Sequence, residues 1–224
     1  AVPHTDHTAA SPARVAVIGT GPPADATRVA LEQAGATLAP VDSNTRFAVL
    51  VDHFLSPAEP SQDLLRSDIP HLLIRLTDQS VWLGPLVLPG GSPCLACVEL
   101  HSHDREPLAG LLAAQLLGER PATDASSCAA IIAAFAALAY RHTLAESPVL
   151  VSTRLRFQVT DGRPTISPQA ESVPAHPRCG CVSLAHSASL THSADRPHSG
   201  TEAQTDLMNE PRWLPLRAPH ARAA

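Results

Sequence analysis

The stretch "RVAVIGTGPPADA", residues 14–26, decides the fold class of this 224-residue chain. Residues that suit a buried strand run directly into Gly19-Thr20-Gly21, and we expect a helix over residues 24–35. A strand, a glycine turn and a helix in this order are typical of the first unit of a Rossmann-like α/β sheet.

The glycine turn also matches a dinucleotide-binding pattern. Residues 19–24 fit G-x-G-x-x-G/A, and Asp42 lies where an acid that binds the ribose is expected. Such a site binds phosphates through backbone N–H groups at the helix start, and Pro22 and Pro23 have none. Gly19, Gly21 and Asp42 are therefore at most a remnant of a nucleotide site, and the alternative is a tight turn with proline at the helix start.

Further apolar runs alternate with helical segments along the chain. Strands are predicted at 38–41, 47–53, 70–77 and 81–89, and helices near 57–66, 107–117 and 125–145. The run that begins at residue 149, "VLVSTRLRFQVTDGRPTIS", predicts a hairpin around Asp161–Gly162. Because strands and helices alternate, we expect a mostly parallel sheet.

Composition excludes several functions. A net charge of −5 and a pI near 6.2 argue against a nucleic-acid surface. All sixteen positive residues are Arg, so no lysine is present to form a Schiff base or to bind phosphate in a P-loop. The richest apolar run, residues 128–140, is short for a membrane span, and the N-terminus has no signal-peptide pattern. We expect no membrane association and a cytoplasmic, reducing location.

Patterning divides the chain into three parts. We expect a flexible N-terminus at 1–12, one domain at 13–182 and a disordered tail at 183–224 that is rich in Ser, His, Ala, Pro and Thr.

Four cysteines form two closely spaced pairs. Cys94 and Cys97 form a C-x-x-C, and Cys179 and Cys181 form a C-x-C. Zinc prefers four tetrahedral thiolates in structural sites, so the pairs predict a zinc site on two knuckle-like loops. The alternatives are a redox pair at C-x-x-C or unrelated thiols. Cys128 lies in an apolar run and is expected to be a core residue.

The polar residues after C-x-x-C carry a weaker signal. His101, His103 and Asp104 are expected at a helix cap or on the surface, and His101 is also a candidate fifth ligand or second-shell partner of the metal. No Ser-His-Asp arrangement or catalytic carboxylate pair is present, so no catalytic residue is predicted.

Several motifs together resemble one known family. They are Pro70-His71, Gly84-Pro85, C-x-x-C followed by Leu100-His101, and His176-Pro177-x-Cys-Gly-Cys. Over residues 13–182 the chain resembles the ThiF-like cyclodehydratase partner proteins of thiazole/oxazole-modified peptide and thiopeptide biosynthesis.

The resemblance implies a fold similar to ubiquitin-activating enzymes, with a structural zinc on Cys94, Cys97, Cys179 and Cys181. In that family the protein captures the leader of a ribosomally made precursor peptide, and a YcaO-type cyclodehydratase performs the ATP-dependent chemistry. The chain departs from the family at Ser102, where arginine is usual, and at 108–110, where a tryptophan-containing stretch is expected. An N-terminal winged helix for the leader is also not expected, because few residues precede the first strand.

Three functions follow as hypotheses. The first is a non-catalytic zinc scaffold that acts with a YcaO-type enzyme and a precursor peptide. The second is an active ThiF-type adenylating enzyme, and the third is a nicotinamide-dependent oxidoreductase that rests on the glycine turn and Asp42.

The apolar helix at 125–145 raises a separate question. It is either an internal core helix or a protein–protein surface, for a homodimer or for the YcaO-type partner, with Phe135 and Leu138 as anchors.

Overall fold

A computed structural model describes residues 13–55, 58–124, 126–161, 163–165 and 167–181. The N-terminal segment 1–12 and the predicted tail 183–224 lie outside the described residues.

Strands and helices follow one another much as the periodicity predicts. The strands are β1 (Arg14–Ile18), β2 (Thr37–Leu38), β3 (Thr45–His53), β4 (His71–Thr77), β5 (Ser80–Val87), β6 (Thr153–Thr160), β7 (Arg163–Pro164) and β8 (Gln169–Ser172). The helices are α1 (Pro22–Gln33), α2 (Ala58–Arg66), α3 (Leu95–Arg105), α4 (Ala109–Gln115) and α5 (Ser126–Leu144).

All strands belong to one sheet with the order β2-β1-β3-β4-β5-β6-β7, and β8 also pairs with β6. The first four strands in this order pair in parallel, because α1 and α2 return the chain to the same end of the sheet. The remaining strands pair antiparallel. Short turns join β4 to β5 and β6 to β7, whereas α3, α4 and α5 lie between β5 and β6. The Rossmann-like α/β class is confirmed, with its parallel half at the glycine turn.

Helices cover both faces of the sheet. One core contains residues of α1 and α5 packed on alternate positions of the central strands, such as Val49, Ile74 and Leu83. The opposite core contains residues of α2 and α3 packed on the positions between them, such as Leu50 and Leu73. This separation follows from the strand's two-residue period. Cys94 and Cys97 belong to the second core.

Helix α5 is an internal core helix along one stripe. Ala136, Ala139 and Tyr140 are fully or almost fully buried, and Phe135 packs its ring against Phe157 at 5.4 Å between centroids. Phe135 is only partly buried at the edge of the core, and Leu138 is 49% exposed, so a protein–protein contact through these two side chains stays a prediction.

By length and composition alone, α5 could also cross a membrane. Its window Ser127–Leu144 has a mean hydropathy of 1.3. Buried helices of globular domains pass the same test, and the α5 stripe packed on α1 and the sheet is of that kind.

The most exposed apolar surface lies on the short helix α4. None of its residues is buried. Four leucines in or next to it are more than half exposed: Leu108, Leu111, Leu112 and Leu117.

Substitutions on α5 test its packing. Ala136→Leu should lower the free energy of unfolding by about 1–3 kcal/mol, because the added atoms have no space against the sheet. Ala134→Leu, on the exposed stripe of the same helix, should change it by less than about 0.5 kcal/mol. Urea unfolding of both variants measures the difference, and equal losses would contradict the packing described.

Candidate metal centre

The fold gathers the two cysteine pairs in one place. The Sγ atoms of Cys94, Cys97, Cys179 and Cys181 all lie within 4.8 Å of one another. Two short sulfur–sulfur distances join the two pairs, Cys94–Cys179 at 3.5 Å and Cys97–Cys181 at 3.4 Å. The structure thus brings together the four cysteines that the sequence singled out, across more than eighty residues of chain.

Each pair sits on a different local structure. Cys94 is the N-cap of α3 and Cys97 lies in its first turn, so the first pair opens a helix. The knuckle-like loop expected around this pair is therefore a helix start, with Leu95 and Val98 facing the core. The second pair follows β8 in a turn closed by a hydrogen bond from the Cys179 N–H to the His176 carbonyl at 2.9 Å.

Backbone N–H groups favour ionisation of the cysteines. Those of Cys97, Cys181 and Cys94 act to lower the pKa of the Cys94, Cys179 and Cys181 thiols, respectively. The fourth sulfur, on Cys97, accepts the N–H of His176 at 3.3 Å. Such bonds favour the thiolate over the thiol, because a backbone donor stabilises negative charge.

Without a cation, four thiolates at this distance would repel one another. Burial, together with the neighbouring sulfurs, raises the pKa of Cys94 to about 11 and also raises the pKa of Cys181. Burial opposes ionisation of Cys179 as well, yet hydrogen bonds from Cys181 and the other thiols lower its pKa. A bound dication would remove this conflict, since metal coordination deprotonates the thiol.

The donor set fits zinc. Four thiolates are a preferred structural ligand set, and a tetrahedron with Zn–S bonds of about 2.3 Å has sulfur–sulfur edges of about 3.8 Å. The distances of 3.4 and 3.5 Å are close to that value. A redox pair would need only Cys94 and Cys97, whereas here each approaches a sulfur of the other pair.

A polar clamp supports the second cysteine loop. The backbone N–H of Arg178 donates to His176 Nδ1 at 3.1 Å, so in the neutral ring the proton is on Nε2, which lies 2.9 Å from Asp104 Oδ2. Asp104 also forms an ion pair with Arg178. The hydrogen bond from His176, and then the charge of Arg178, lower the pKa of the Asp104 carboxyl. The clamp therefore ties the end of α3 to the loop that carries Cys179 and Cys181.

His101 stands behind this clamp rather than in the sulfur cluster. Its ring packs edge-on against the His176 ring at 4.6 Å between centroids, and its Nε2 lies 3.1 Å from the carbonyl oxygen of Pro174. The role of second-shell partner, not that of fifth ligand, matches this position. The sequence places Asp104 on the surface. Its contact with His176 was not predicted, because the two residues lie 72 positions apart and no motif connects them.

The glycine turn is closed by the protein itself. A methyl group built on Gly21 would come 2.7 Å from Arg120 Nη1 and 3.2 Å from Asp124 Oδ2, and these two side chains form an ion pair at 2.9 Å. Pro22 and Pro23 occupy the first two positions of α1. The start of α1 thus faces an internal carboxylate, Asp124, whose side chain is 5% exposed.

Asp42 does not lie with the glycine turn. It forms an ion pair at 2.7 Å with Arg14, the first residue of β1, whereas Gly19 follows the last residue of that strand. Its other oxygen accepts hydrogen bonds from the backbone N–H of Asn44 and the Thr45 hydroxyl. Asp42 therefore stabilises the turn into β3. It is not placed to bind the ribose of a dinucleotide at the glycine turn.

A cleft of about 280 Å³ remains beside the glycine turn, at the carboxyl ends of β1 and β3. Open α/β sheets commonly bind ligands at this position, between strands whose connections diverge. Here the cleft is bordered by Asp52, His53, Glu119 and Arg120. Burial raises the pKa of Asp52.

Comparisons with known proteins find likeness in structure only. No protein-family model and no curated protein sequence matches the chain. Among solved structures, the heterocyclase TruD is 23% identical with a TM-score of 0.56, over 85% of this chain and 30% of TruD. A heterocyclase in complex with substrate and cofactor is 17% identical with a TM-score of 0.56, over 85% of this chain and 27% of that one.

The microcin C7 biosynthetic enzyme MccB of E. coli, in complex with N-formylated MccA, is also similar. It is 13% identical with a TM-score of 0.54, over 76% of this chain and 67% of MccB. The chain spans less than a third of the length of the two heterocyclases. The ThiF-like fold expected from the motifs is confirmed by these likenesses.

Replacement of one cysteine tests the metal centre. The purified chain should contain about one zinc, and Cys94→Ser should lose it, because structural zinc needs its complete ligand set. Cys128→Ser is the matched control, since Cys128 is equally buried but lies on α5 in the other core. Metal analysis and thiol titration measure both.

If Cys94→Ser does not fold, measurements on the wild-type chain still test the metal site. Zinc well below one per wild-type chain, with all five thiols reacting freely in the native state, would contradict the site.

Proposed function

We propose that this chain is a non-catalytic partner and scaffold protein in azole or azoline formation on a ribosomally made precursor peptide. It acts in the cytoplasm with a YcaO-type cyclodehydratase, which supplies the ATP-dependent chemistry. The chain holds a structural zinc, and its own residues position the peptide and the partner.

Likeness in fold supports the class of reaction. The heterocyclases are named for ring formation, and MccB is a biosynthetic enzyme solved with the peptide MccA. The chain has an α/β domain similar to theirs, and this likeness supports a function in the modification of a peptide.

The closed glycine turn is the observation that carries the non-catalytic role. Phosphates bind at a helix start because backbone N–H groups and the helix dipole attract negative charge. In this chain two prolines remove donors, and the Arg120–Asp124 ion pair fills the space beside Gly21 that a phosphate would need. Arg120, a cation beside the turn, is already paired with Asp124.

The zinc site supports a structural role. All four ligands are cysteines, so no open coordination position is left for a substrate or a water. Bound zinc would stabilise the junction of α3 with the segment after β8, and Cys94, Cys97, Cys179 and Cys181 would hold it.

The exposed leucines support a protein partner. Leu108, Leu111, Leu112 and Leu117 are clustered in one short segment around α4, and exposed apolar clusters commonly mark protein–protein contacts. We assign this surface to the YcaO-type enzyme. Leu138 on α5 is a second exposed apolar residue and a candidate for a homodimer contact.

An active adenylating enzyme is the competing function, because a cleft does lie at the carboxyl ends of β1 and β3. Its borders include Asp52 and Glu119, and acids there disfavour a triphosphate. For the oxidoreductase, the position of Asp42 removes the main support.

Nucleotide chemistry separates the first two functions. The chain alone, with its precursor peptide, should give no ATP–pyrophosphate exchange, and calorimetry should detect no ATP binding up to about 1 mM. Micromolar binding that Gly21→Val abolishes would overturn the scaffold assignment, because a side chain at Gly21 would occupy the helix start where phosphates bind in such folds.

Reconstitution tests the role directly. Azole formation on the precursor peptide should require both the YcaO-type enzyme and this chain, and Leu111→Asp with Leu112→Asp should reduce it by weakening partner binding. Ala130→Asp with Ala134→Asp, both on the exposed stripe of α5, is the charge-matched control. Equal rates with and without this chain would contradict the proposal.

A further inference from the structure

A second cavity, distinct from the glycine-turn cleft, lies between α3 and the segment that follows β8. Its volume is about 270 Å³. The lining includes His101, Asp104 and Arg105 from α3, Arg154 from β6, and Val173 and Pro174 after β8.

Positive charge is concentrated around this cavity. Arg105 and Arg154 line it, and Arg75 on β4, two strands from β6 in the sheet, is close enough to interact with Arg154. Burial, followed by the charges of Arg75 and Arg105, lowers the pKa of Arg154, against the opposing effect of Glu171. Arginine side chains close to one another repel, and an anion that binds between them relieves that repulsion.

The nearby carboxylates are already engaged. Glu171 is paired with Arg154 at 3.0 Å, and Glu99 is paired with Arg75. Asp104 is held by His176 and Arg178. Within the described residues, Arg105 forms no ion pair, and its hydrogen bond runs from Nε to the carbonyl oxygen of His101 at 3.3 Å.

Arg154 is fixed before any ligand binds. It is 8% exposed, two of its nitrogens contact Glu171, and its guanidinium lies 4.0 Å from the centre of the Trp82 ring. A side chain held in this way loses little rotamer entropy on binding, which increases affinity. The exposed Arg105 on the opposite wall can adjust to the ligand.

We propose that this cavity binds the carboxylate of a peptide residue, through charge-assisted hydrogen bonds from Arg105 and from Arg154 Nη1, the Arg154 nitrogen that does not contact Glu171. Val98, Val173 and Pro174 provide an apolar wall for a neighbouring side chain of the same peptide. The peptide class rests on the proposed function, whereas the carboxylate preference rests on the arginines alone. The carboxylate is either an acidic side chain or the C-terminus.

Calorimetry with synthetic peptides and the zinc-loaded full chain tests this site. The probes are acetyl-Gly-Leu-Glu-Leu-Gly-amide, its neutral Gln counterpart as the amide, and the Gln peptide with a free C-terminal carboxylate. At least one acidic probe should bind about tenfold more tightly than the neutral amide. The acidic probe that does so identifies the source of the carboxylate.

Two arginine variants complete the design. Arg105→Gln should weaken binding of the preferred acidic probe about tenfold and leave the neutral peptide unaffected. Arg141→Gln, an exposed arginine on α5 across the sheet, should leave both unaffected. Because Arg105 is exposed, we expect Arg105→Gln to fold, and retained zinc confirms it.

Equal affinity for acidic and neutral probes would overturn the site, as would equal losses in Arg105→Gln and Arg141→Gln. The assay contains no partner enzyme, so its failure is separable from failure of the proposed function. Carboxylate preference without azole formation would contradict the function alone, and azole formation without carboxylate preference would contradict the site alone.

Discussion

The convergence of four sulfur atoms is the constraint on which this domain depends. Cys94 and Cys97 open α3, and Cys179 and Cys181 follow the last strand, so one metal ion would join segments far apart in sequence. Closing so long a loop costs entropy, which binding of the metal would offset. The same junction sets the two walls of the arginine cavity, because α3 supplies one wall and the segment before His176 the other. The metal site and the proposed peptide site are thus built on the same two segments.

The parallel half of the sheet keeps the strand–turn–helix geometry of a nucleotide-binding fold, but the space at the helix start is filled. Gly19 packs closely on β3, since a methyl group there would come 2.3 Å from the carbonyl oxygen of Val51. Beside Gly21, a phosphate would meet the Arg120–Asp124 ion pair instead of free N–H groups. A fold can retain such a turn for packing alone, because strand-to-helix geometry and phosphate binding are separate requirements.

Much of this architecture could be predicted from periodicity and spacing. The buried strands β1, β3, β4 and β5 are near-continuous apolar runs, and the C-x-x-C and C-x-C spacings identified the sulfur cluster. Helix α3 was missed because Pro93 and the glycines before it indicate a loop, and its buried face consists of only Leu95, Cys97 and Val98. Contacts such as Asp104–His176 and Asp124–Gly21 could not be predicted, since each depends on how distant segments meet. For Asp42 the sequence pattern was misleading. Its spacing from Gly21 fits a dinucleotide fingerprint, but in the fold it lies at the start of β1, beside Arg14, and not at the end that carries the glycine turn.

We propose that four cysteine thiolates hold one zinc ion as the structural centre of the domain. X-ray absorption spectroscopy at the zinc edge of the purified chain measures the ligand atoms and their distances directly. We expect four sulfur neighbours at about 2.3 Å and no nitrogen or oxygen neighbour in the first shell. A first shell with fewer than four sulfurs, or one that includes histidine nitrogen or water oxygen, would contradict it.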